Sequence, residues 1–187
     1  MFTRYPAPGC CKTRLIPAVG AEGAAAIHRQ LAHQTFQVLA ATDAPVTVAF
    51  TGAPAADFKE WLGGEARYEQ QAEGGLTERL KPFVDRAPVI FFGSDTPDLQ
   101  PSHVNAAIEG LATHRVVIGP AEDGGYYLIA MREPIHELVE DIPWSTDRVL
   151  PETLRKLSEL EIEPLLLDTL ADCDRPEDLK RWPDLGA

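Results

Sequence analysis

The sequence predicts an α/β fold built on a parallel sheet, and three observations carry that expectation. Short apolar or β-branched runs alternate with longer stretches of helical periodicity. One run, Val89-Ile90-Phe91-Phe92, is apolar at every position, the pattern of a strand buried on both faces in the middle of a parallel sheet. The 187 residues contain no internal repeat, low-complexity tract or linker, so a single domain over 1–187 is expected.

The elements follow in order. Phe2 to Tyr5 reads as the end of a strand. Ile27, Leu31 and Val38 recur at helical spacing between Ala21 and Ala41, and Val46 to Phe50 is a β-branched run. Phe58 to Leu62 belongs to a short helix, Arg67 to Gln70 to a strand, and Leu76 to Val84 to another helix. After the apolar strand, Val104, Ala107, Ile108 and Leu111 form a buried helical stripe. Val116 to Ile118 and Tyr126 to Ala130 are strands flanking a loop at Gly119 to Gly125. Leu150, Leu154 and Leu157 place a helix over Thr146 to Leu160, with Pro151 in its first turn or at a kink. Leu165 to Leu167 is a last strand, and Pro176 starts a closing helix.

Bulk properties exclude several functions. A net charge of −12 argues against nucleic acid, whose phosphates need clustered Lys and Arg. No apolar run approaches the ~20 residues that span a bilayer. The start, Met1-Phe2-Thr3-Arg4-Tyr5-Pro6, lacks a signal-peptide layout, so a cytoplasmic protein is expected. Cys10, Cys11 and Cys173 have no zinc or disulfide spacing and read as reduced thiols. The charge is uneven, however: the chain is acidic from Glu133 onward and mildly basic over its first fifty residues, which suits a small anionic ligand.

Ligands of open parallel sheets bind beyond the carboxyl ends of the strands, so the segments that follow strands carry the candidates. After the first strand, Pro8 and Gly9 permit a tight turn, and Lys12 and Arg14 bring two cations toward a diphosphate. The plainer reading, a proline-rich loop with two solvated charges, is equally compatible. After the apolar run come Ser94 and Asp95, where a carboxylate suits Mg²⁺ or Mn²⁺ but also an ordinary turn. Asp123-Gly124-Gly125-Tyr126 reads both as a hairpin turn and as backbone open to close approach by a ligand. Asp172 and Asp174 offer a second metal ligand, or simply the acidic start of a helix. The histidines suggest no metal pair: His28 and His33 do not share a helix face.

In this order the segments resemble a bacterial group of glycosyltransferase-like proteins associated with arsenosugar biosynthesis, long known as a domain of unknown function. The resemblance rests on Arg4-Tyr5-Pro6 through Lys12-Thr13-Arg14-Leu15, Gly93-Ser94-Asp95-Thr96-Pro97, Asp123-Gly124-Gly125-Tyr126-Tyr127, Trp144-Ser145-Thr146 and Asp172 to Leu179. It implies a three-layer α/β/α fold of the GT-A, nucleotide-diphospho-sugar transferase type, with a mixed, mostly parallel sheet. It also implies a nucleotide across the N-terminal half and a divalent metal at Asp95. More distantly, the Lys-Thr-Arg-Leu element is similar to that of a guanylyltransferase that activates phospholactate.

Three departures stand out. Members of the group begin several residues earlier, so Met1 reads as internal to a longer product. The usual Gly-Asp-Leu-Gly-x-Arg segment is Gly74-Gly75-Leu76-Thr77-Glu78-Arg79 here, which retains Arg79 but not the aspartate. Arg175 stands where a helix-capping threonine is usual, a loss of ~1 kcal/mol.

The resulting expectation is glycosyl transfer from a nucleotide sugar to a small acceptor. Asp95, with Asp174 or Asp172, holds the metal; Lys12 and Arg14 neutralise the diphosphate; Asp123 is the general base. Trp144, Ser145 and Thr146 join Gly124, Gly125 and Tyr126 toward the substrate, although Trp144 also reads as a core residue. The alternatives are nucleotidyl transfer from a nucleoside triphosphate to a phosphorylated small molecule, and a non-catalytic nucleotide-binding protein.

Overall fold

The computed structural model describes residues 1–186, and these group into two compact units. The first unit comprises Met1–Gln71, Gly93–Pro101 and the chain from Asp172 onward. It is built on three parallel strands in the order β1 (Phe2–Arg4), β2 (Thr47–Thr51) and β3 (Arg67–Gln70). Parallel neighbours need a crossover, which α1 (Ile16–Ala40) and α2 (Ala55–Leu62) supply. The register sets Phe2 against Ala49 and Thr47 against Arg67.

Helix α1 begins earlier than its apolar spacing predicts, because a first turn precedes a break at Gly20 (φ 73°). Past that break, Ala24, Ile27 and Leu31 pack with Leu15 and Cys173, and the cluster is closed by Leu179, Trp182 and Leu185. The segment carrying Leu179, Trp182 and Leu185 therefore lies against α1. The closing helix expected from Pro176 is not there. A short 3-10 turn, Asp178–Lys180, takes its place, and the Asp178 carboxylate accepts from the Asp174 and Arg175 amides (3.0 and 2.7 Å). The bond to Arg175 is the half of a capping box in which the side chain three residues on reaches back to the cap amide. It orders the turn without the bond a threonine at 175 would accept from the amide of residue 177 or 178.

The second unit comprises Ala72–Phe92 and Ser102–Ala171. It carries α3 (Leu76–Val84), β4 (Val89–Phe92), α4 (Pro101–Gly110), β5 (Val116–Pro120), β6 (Tyr126–Met131), α5 (Val149–Glu159) and β7 (Leu165–Leu166). Its strands run in the order β4-β6-β5-β7. Strands β5 and β6 form an antiparallel hairpin with a register shift at Gly119/Pro120, and β7 pairs parallel to β5.

Two expectations are corrected here. Strand β4 is not in the middle of a parallel sheet: it ends this strand order and pairs antiparallel to β6. Burial at every position belongs instead to β5, and Val89 and Ile90 are only partly buried. An apolar run records the need for cover but not the direction of the neighbouring strand. The stripe of α4 is also narrower than expected, with Val104 and Ala107 buried but Ile108 40% exposed. Gly119 and Pro120, expected in a loop, extend β5.

Across both units, three of the five described strand pairings are parallel: the first sheet is wholly parallel and the second is mixed, with two antiparallel pairings and one parallel. Among the described residues no helix is long and apolar enough to cross a membrane.

Candidate functional site

In the first unit the segment after β1 turns sharply. Gly9 has φ 78°, the Cys10 amide donates to the Ala7 carbonyl (3.1 Å), and Arg4 Nη1 donates to the Cys10 carbonyl (3.1 Å). Lys12 then adopts a left-handed conformation (φ 46°, ψ 41°) just before the 3-10 turn Thr13–Leu15. Such a backbone is uncommon for a lysine and costs energy, so its surroundings must hold it. The bend sends Lys12 inward, where its side chain is 3% exposed, whereas the side chain of Arg14 is 53% exposed.

A buried ammonium requires partners, and Lys12 has three. Its Nζ lies 2.6 Å from Asp95 Oδ1, donates to the Cys173 carbonyl at 2.6 Å, and lies 3.7 Å from Asp174 Oδ1. Asp174 Oδ2 in turn receives Arg14 Nη1 at 2.5 Å. Two cations thus alternate with two carboxylates drawn from three distant stretches of chain. The main chain joins two of those stretches, since the Cys173 amide donates to the Asp95 carbonyl (2.9 Å).

The electrostatics follow from this pairing. Burial opposes the charge on Lys12, but Asp95 outweighs it and holds Lys12 above the usual lysine range. Burial likewise opposes the Asp95 carboxylate, and Lys12 outweighs that in turn, holding Asp95 below the usual range. Asp95 nevertheless keeps 49% of its side chain exposed. Ser94 is buried beside it, and Pro8 is exposed on the loop. Asp172 is half-buried on the same segment as Asp174, but Lys12 and Arg14 pair with Asp174.

Three residues near this cluster play parts that the sequence pattern does not show. His28, buried on α1, has Nε2 2.9 Å from the Arg4 carbonyl, and burial pushes its imidazole below the usual histidine value. Cys173 contributes main-chain groups, which no side-chain pattern records. Asp178 fixes the amide of Asp174. The only signal for His28 was its place beside Ile27 and Leu31 on the buried stripe.

The second unit holds the remaining candidates. Asp123 is exposed in the β5–β6 turn, and its Oδ1 accepts from the Gly125 amide at 2.8 Å. Gly124 has φ 89°, and a Cβ there would lie 2.3 Å from the Asp147 carbonyl oxygen. The Leu150 amide also donates to the Gly124 carbonyl (2.8 Å), so backbone approaches backbone at this point. Trp144 packs edge-on to Tyr126 (6.4 Å) and donates through Nε1 to Thr77 Oγ1 (2.9 Å). Ser145 is left-handed (φ 64°), and the Thr146 hydroxyl donates to the Pro143 carbonyl. Arg79 donates from Nε to the Gly74 carbonyl (3.0 Å), across the segment that lacks the expected aspartate.

A divalent ion asks for less than a closed cage. Among the described residues no group of three or more His, Cys, Asp or Glu side chains is arranged for a metal. Mg²⁺ is commonly held by one or two carboxylates together with substrate phosphates. The half-exposed Asp95, with Asp174 nearby, fits that donor set.

These features define an α/β protein of the GT-A-like, nucleotide-diphospho-sugar transferase fold, with a charged cluster at the end of β1. The chain belongs to the family described as uncharacterized protein conserved in bacteria (DUF2064), whose model matches residues 32–146. It is similar to the crystal structure of a putative nucleotide-diphospho-sugar transferase from Desulfovibrio desulfuricans G20. That likeness has 33% identity and a TM-score of 0.86, covering 93% of this chain and 80% of that one. The fold is also shared with CMP:2-keto-3-deoxy-manno-octonic acid synthetase complexed with CTP, at 17% identity and a TM-score of 0.55, covering 96% and 93%. No curated protein matches the sequence.

Proposed function

We propose that the protein is a metal-dependent glycosyltransferase-like enzyme that uses a nucleotide diphosphate sugar and a small acceptor. The observation that carries this reading is the Lys12–Asp95–Asp174–Arg14 cluster directly after β1, within a fold of the nucleotide-diphospho-sugar transferase type. Lys12 and the exposed, fork-shaped Arg14 supply positive charge for a diphosphate. Asp95, with Asp174, would hold Mg²⁺ or Mn²⁺, whose contribution when bound is to neutralise the departing diphosphate. Asp123 is assigned as the base toward the acceptor hydroxyl. Asn at this position retains an Oδ1 to accept the Gly125 amide, so Asp123→Asn removes the base and spares the turn. The resemblance to the arsenosugar-associated group supports an acceptor of small size.

Nucleotidyl transfer is the second reading, supported by the fold shared with the synthetase bound to CTP. The two reactions leave different products. Glycosyl transfer releases a nucleoside diphosphate and needs a base; nucleotidyl transfer releases pyrophosphate and uses a nucleophile that is already charged. The test presents nucleotide sugars, and separately triphosphates with sugar phosphates, to wild type and Asp123→Asn. Nucleoside diphosphate release that falls by ~10² to 10⁴-fold in Asp123→Asn is expected. Pyrophosphate release insensitive to Asp123→Asn would overturn the proposal in favour of the second reading.

A further inference from the structure

The buried lysine has a consequence for the order in which ligands are taken up. Asp95 Oδ1 accepts the Lys12 ammonium at 2.6 Å, and Asp174 is shared between Lys12 and Arg14. The four charges cancel, so a divalent cation approaching alone meets a neutral group whose exposed carboxylate already has a counter-ion. It must either share Asp95 with an ammonium, against mutual repulsion, or displace Lys12. Lys12 cannot simply withdraw into water, because its side chain is 3% exposed, and without Asp95 it keeps only the Cys173 carbonyl and a longer contact to Asp174, which Arg14 shares.

A phosphate changes this balance. Nζ is a compact donor on a flexible stem and readily exchanges one oxyanion for another. An incoming phosphate therefore offers Lys12 the counter-charge that Asp95 provides, and releases the Asp95 carboxylate for a cation. The left-handed backbone at Lys12 directs the stem toward this group from a fixed point, so the exchange needs only side-chain motion.

We propose that Lys12 gates the metal: it occupies Asp95 until a phosphate draws it away, so the divalent ion binds together with the nucleotide and not ahead of it. The inference rests on the functional reading above only in assigning Asp95 to the metal and Lys12 to phosphate, and it holds for glycosyl and nucleotidyl transfer alike. By linkage, the phosphate ligand and the metal then raise each other's affinity by the same factor, typically ~5- to 150-fold.

The test uses Mn²⁺ alone as the probe, with affinity read by calorimetry and by the paramagnetic relaxation of water protons. Wild type is expected to bind Mn²⁺ weakly. Lys12→Met keeps the stem and removes the charge, and is expected to bind Mn²⁺ ~10-fold or more tightly without any phosphate, within that coupling range. The gain should vanish in the Lys12→Met/Asp95→Asn double variant.

A second arm does not depend on Lys12→Met. The lysine ammonium resonances of wild type, assigned by comparison with Lys12→Arg or by selective labelling, are followed during titration. Diamagnetic Mg²⁺ alone should leave the Lys12 signal unshifted, whereas a nucleoside diphosphate should shift it. Tight Mn²⁺ binding by wild type that is lost in Asp95→Asn would overturn the gate, even if Lys12→Met fails to fold. So would a folded Lys12→Met variant with no gain in Mn²⁺ affinity. Neither arm measures turnover, so a failed gate leaves the proposed reaction standing, and a failed reaction leaves the gate testable.

Discussion

In the first unit four charged side chains from distant stretches of chain neutralise one another, whereas in the second unit Gly124, Trp144 and Thr146 are fixed by neutral hydrogen bonds and close backbone contact. Lys12, Asp95, Asp174 and Arg14 hold one another through charge. Gly124 instead meets the Asp147 backbone, and Trp144 donates to the Thr77 hydroxyl. The difference teaches where each region is vulnerable. The charged cluster depends on pH and on every member keeping its partner. The contacts of Gly124 and Trp144 depend on shape and include no ionised group.

The largest stability effect should fall on the shape-dependent side. Gly124→Ala combines a left-handed backbone with a Cβ 2.3 Å from a main-chain oxygen, so a loss of about 3 kcal/mol is expected in urea denaturation. A loss under about 1 kcal/mol would mean that the two segments separate easily, and the comparison would break at that point.

Asp95→Asn probes the charged side. Removing one partner of a buried pair typically costs about 3–5 kcal/mol, and the half-exposed Asp95 reduces that to about 2 kcal/mol. Its signature is the pH profile. Asp95 is held below its ordinary value of 3.8, so its contribution is full above that pH and is lost as pH falls through the lower folded value. Lys12 is held above 10.5, so its contribution is full below that pH and is lost as pH rises through the higher folded value. Stability of wild type minus that of Asp95→Asn should therefore form a plateau with both edges. A difference that is flat from acid to alkali would show that the pair contributes nothing.

His28 sharpens the same contrast at milder pH. Burial depresses its imidazole, so the folded state takes up fewer protons than the unfolded one below the ordinary value of 6.5. Stability should decline as pH falls from 6.5, and His28→Gln should flatten that slope in thermal melts across pH 5 to 7. An unchanged slope would assign it to other groups.

The smallest effect belongs to Thr77→Val, which removes the acceptor of the Trp144 indole and the hydroxyl donated to the Val139 carbonyl. About 1 kcal/mol is expected, independent of pH, with a change in tryptophan fluorescence. A pH-dependent loss would contradict the neutral character assigned to this region.

Periodicity read most elements to within a few residues, and α3 and β3 coincide with their predicted spans. It misread the surroundings of β4, because apolar content reports burial and is silent about the direction of pairing. Lys12, Arg14, Asp95 and Asp174 were individually legible as charged residues after strands. Their pairing was not: Arg14 and Asp174 are separated by 160 positions, and only the folded chain brings them together. His28 was set aside because it lacked a second histidine, yet its role is to donate to a carbonyl. The Asp178 side chain looked like ordinary helix-start chemistry, and it is instead the acceptor that orders the amide of Asp174.

Cys173 shows a kind of contribution that side-chain substitution does not reveal. Its thiol lies in the apolar cluster with Leu15 and Leu31, and burial pushes it up to about 11, so the sulfur is chemically quiet. Its amide and carbonyl, however, are each spent on the charged cluster, one toward the Asp95 carbonyl and the other toward the Lys12 ammonium. Any residue of suitable size at this position presents the same two groups. A scan that replaces side chains would therefore score position 173 as interchangeable packing, while an amide-to-ester replacement in the main chain would remove a donor at the centre of the charged group. The instruction at this position is written in the path of the backbone and not in the side chain.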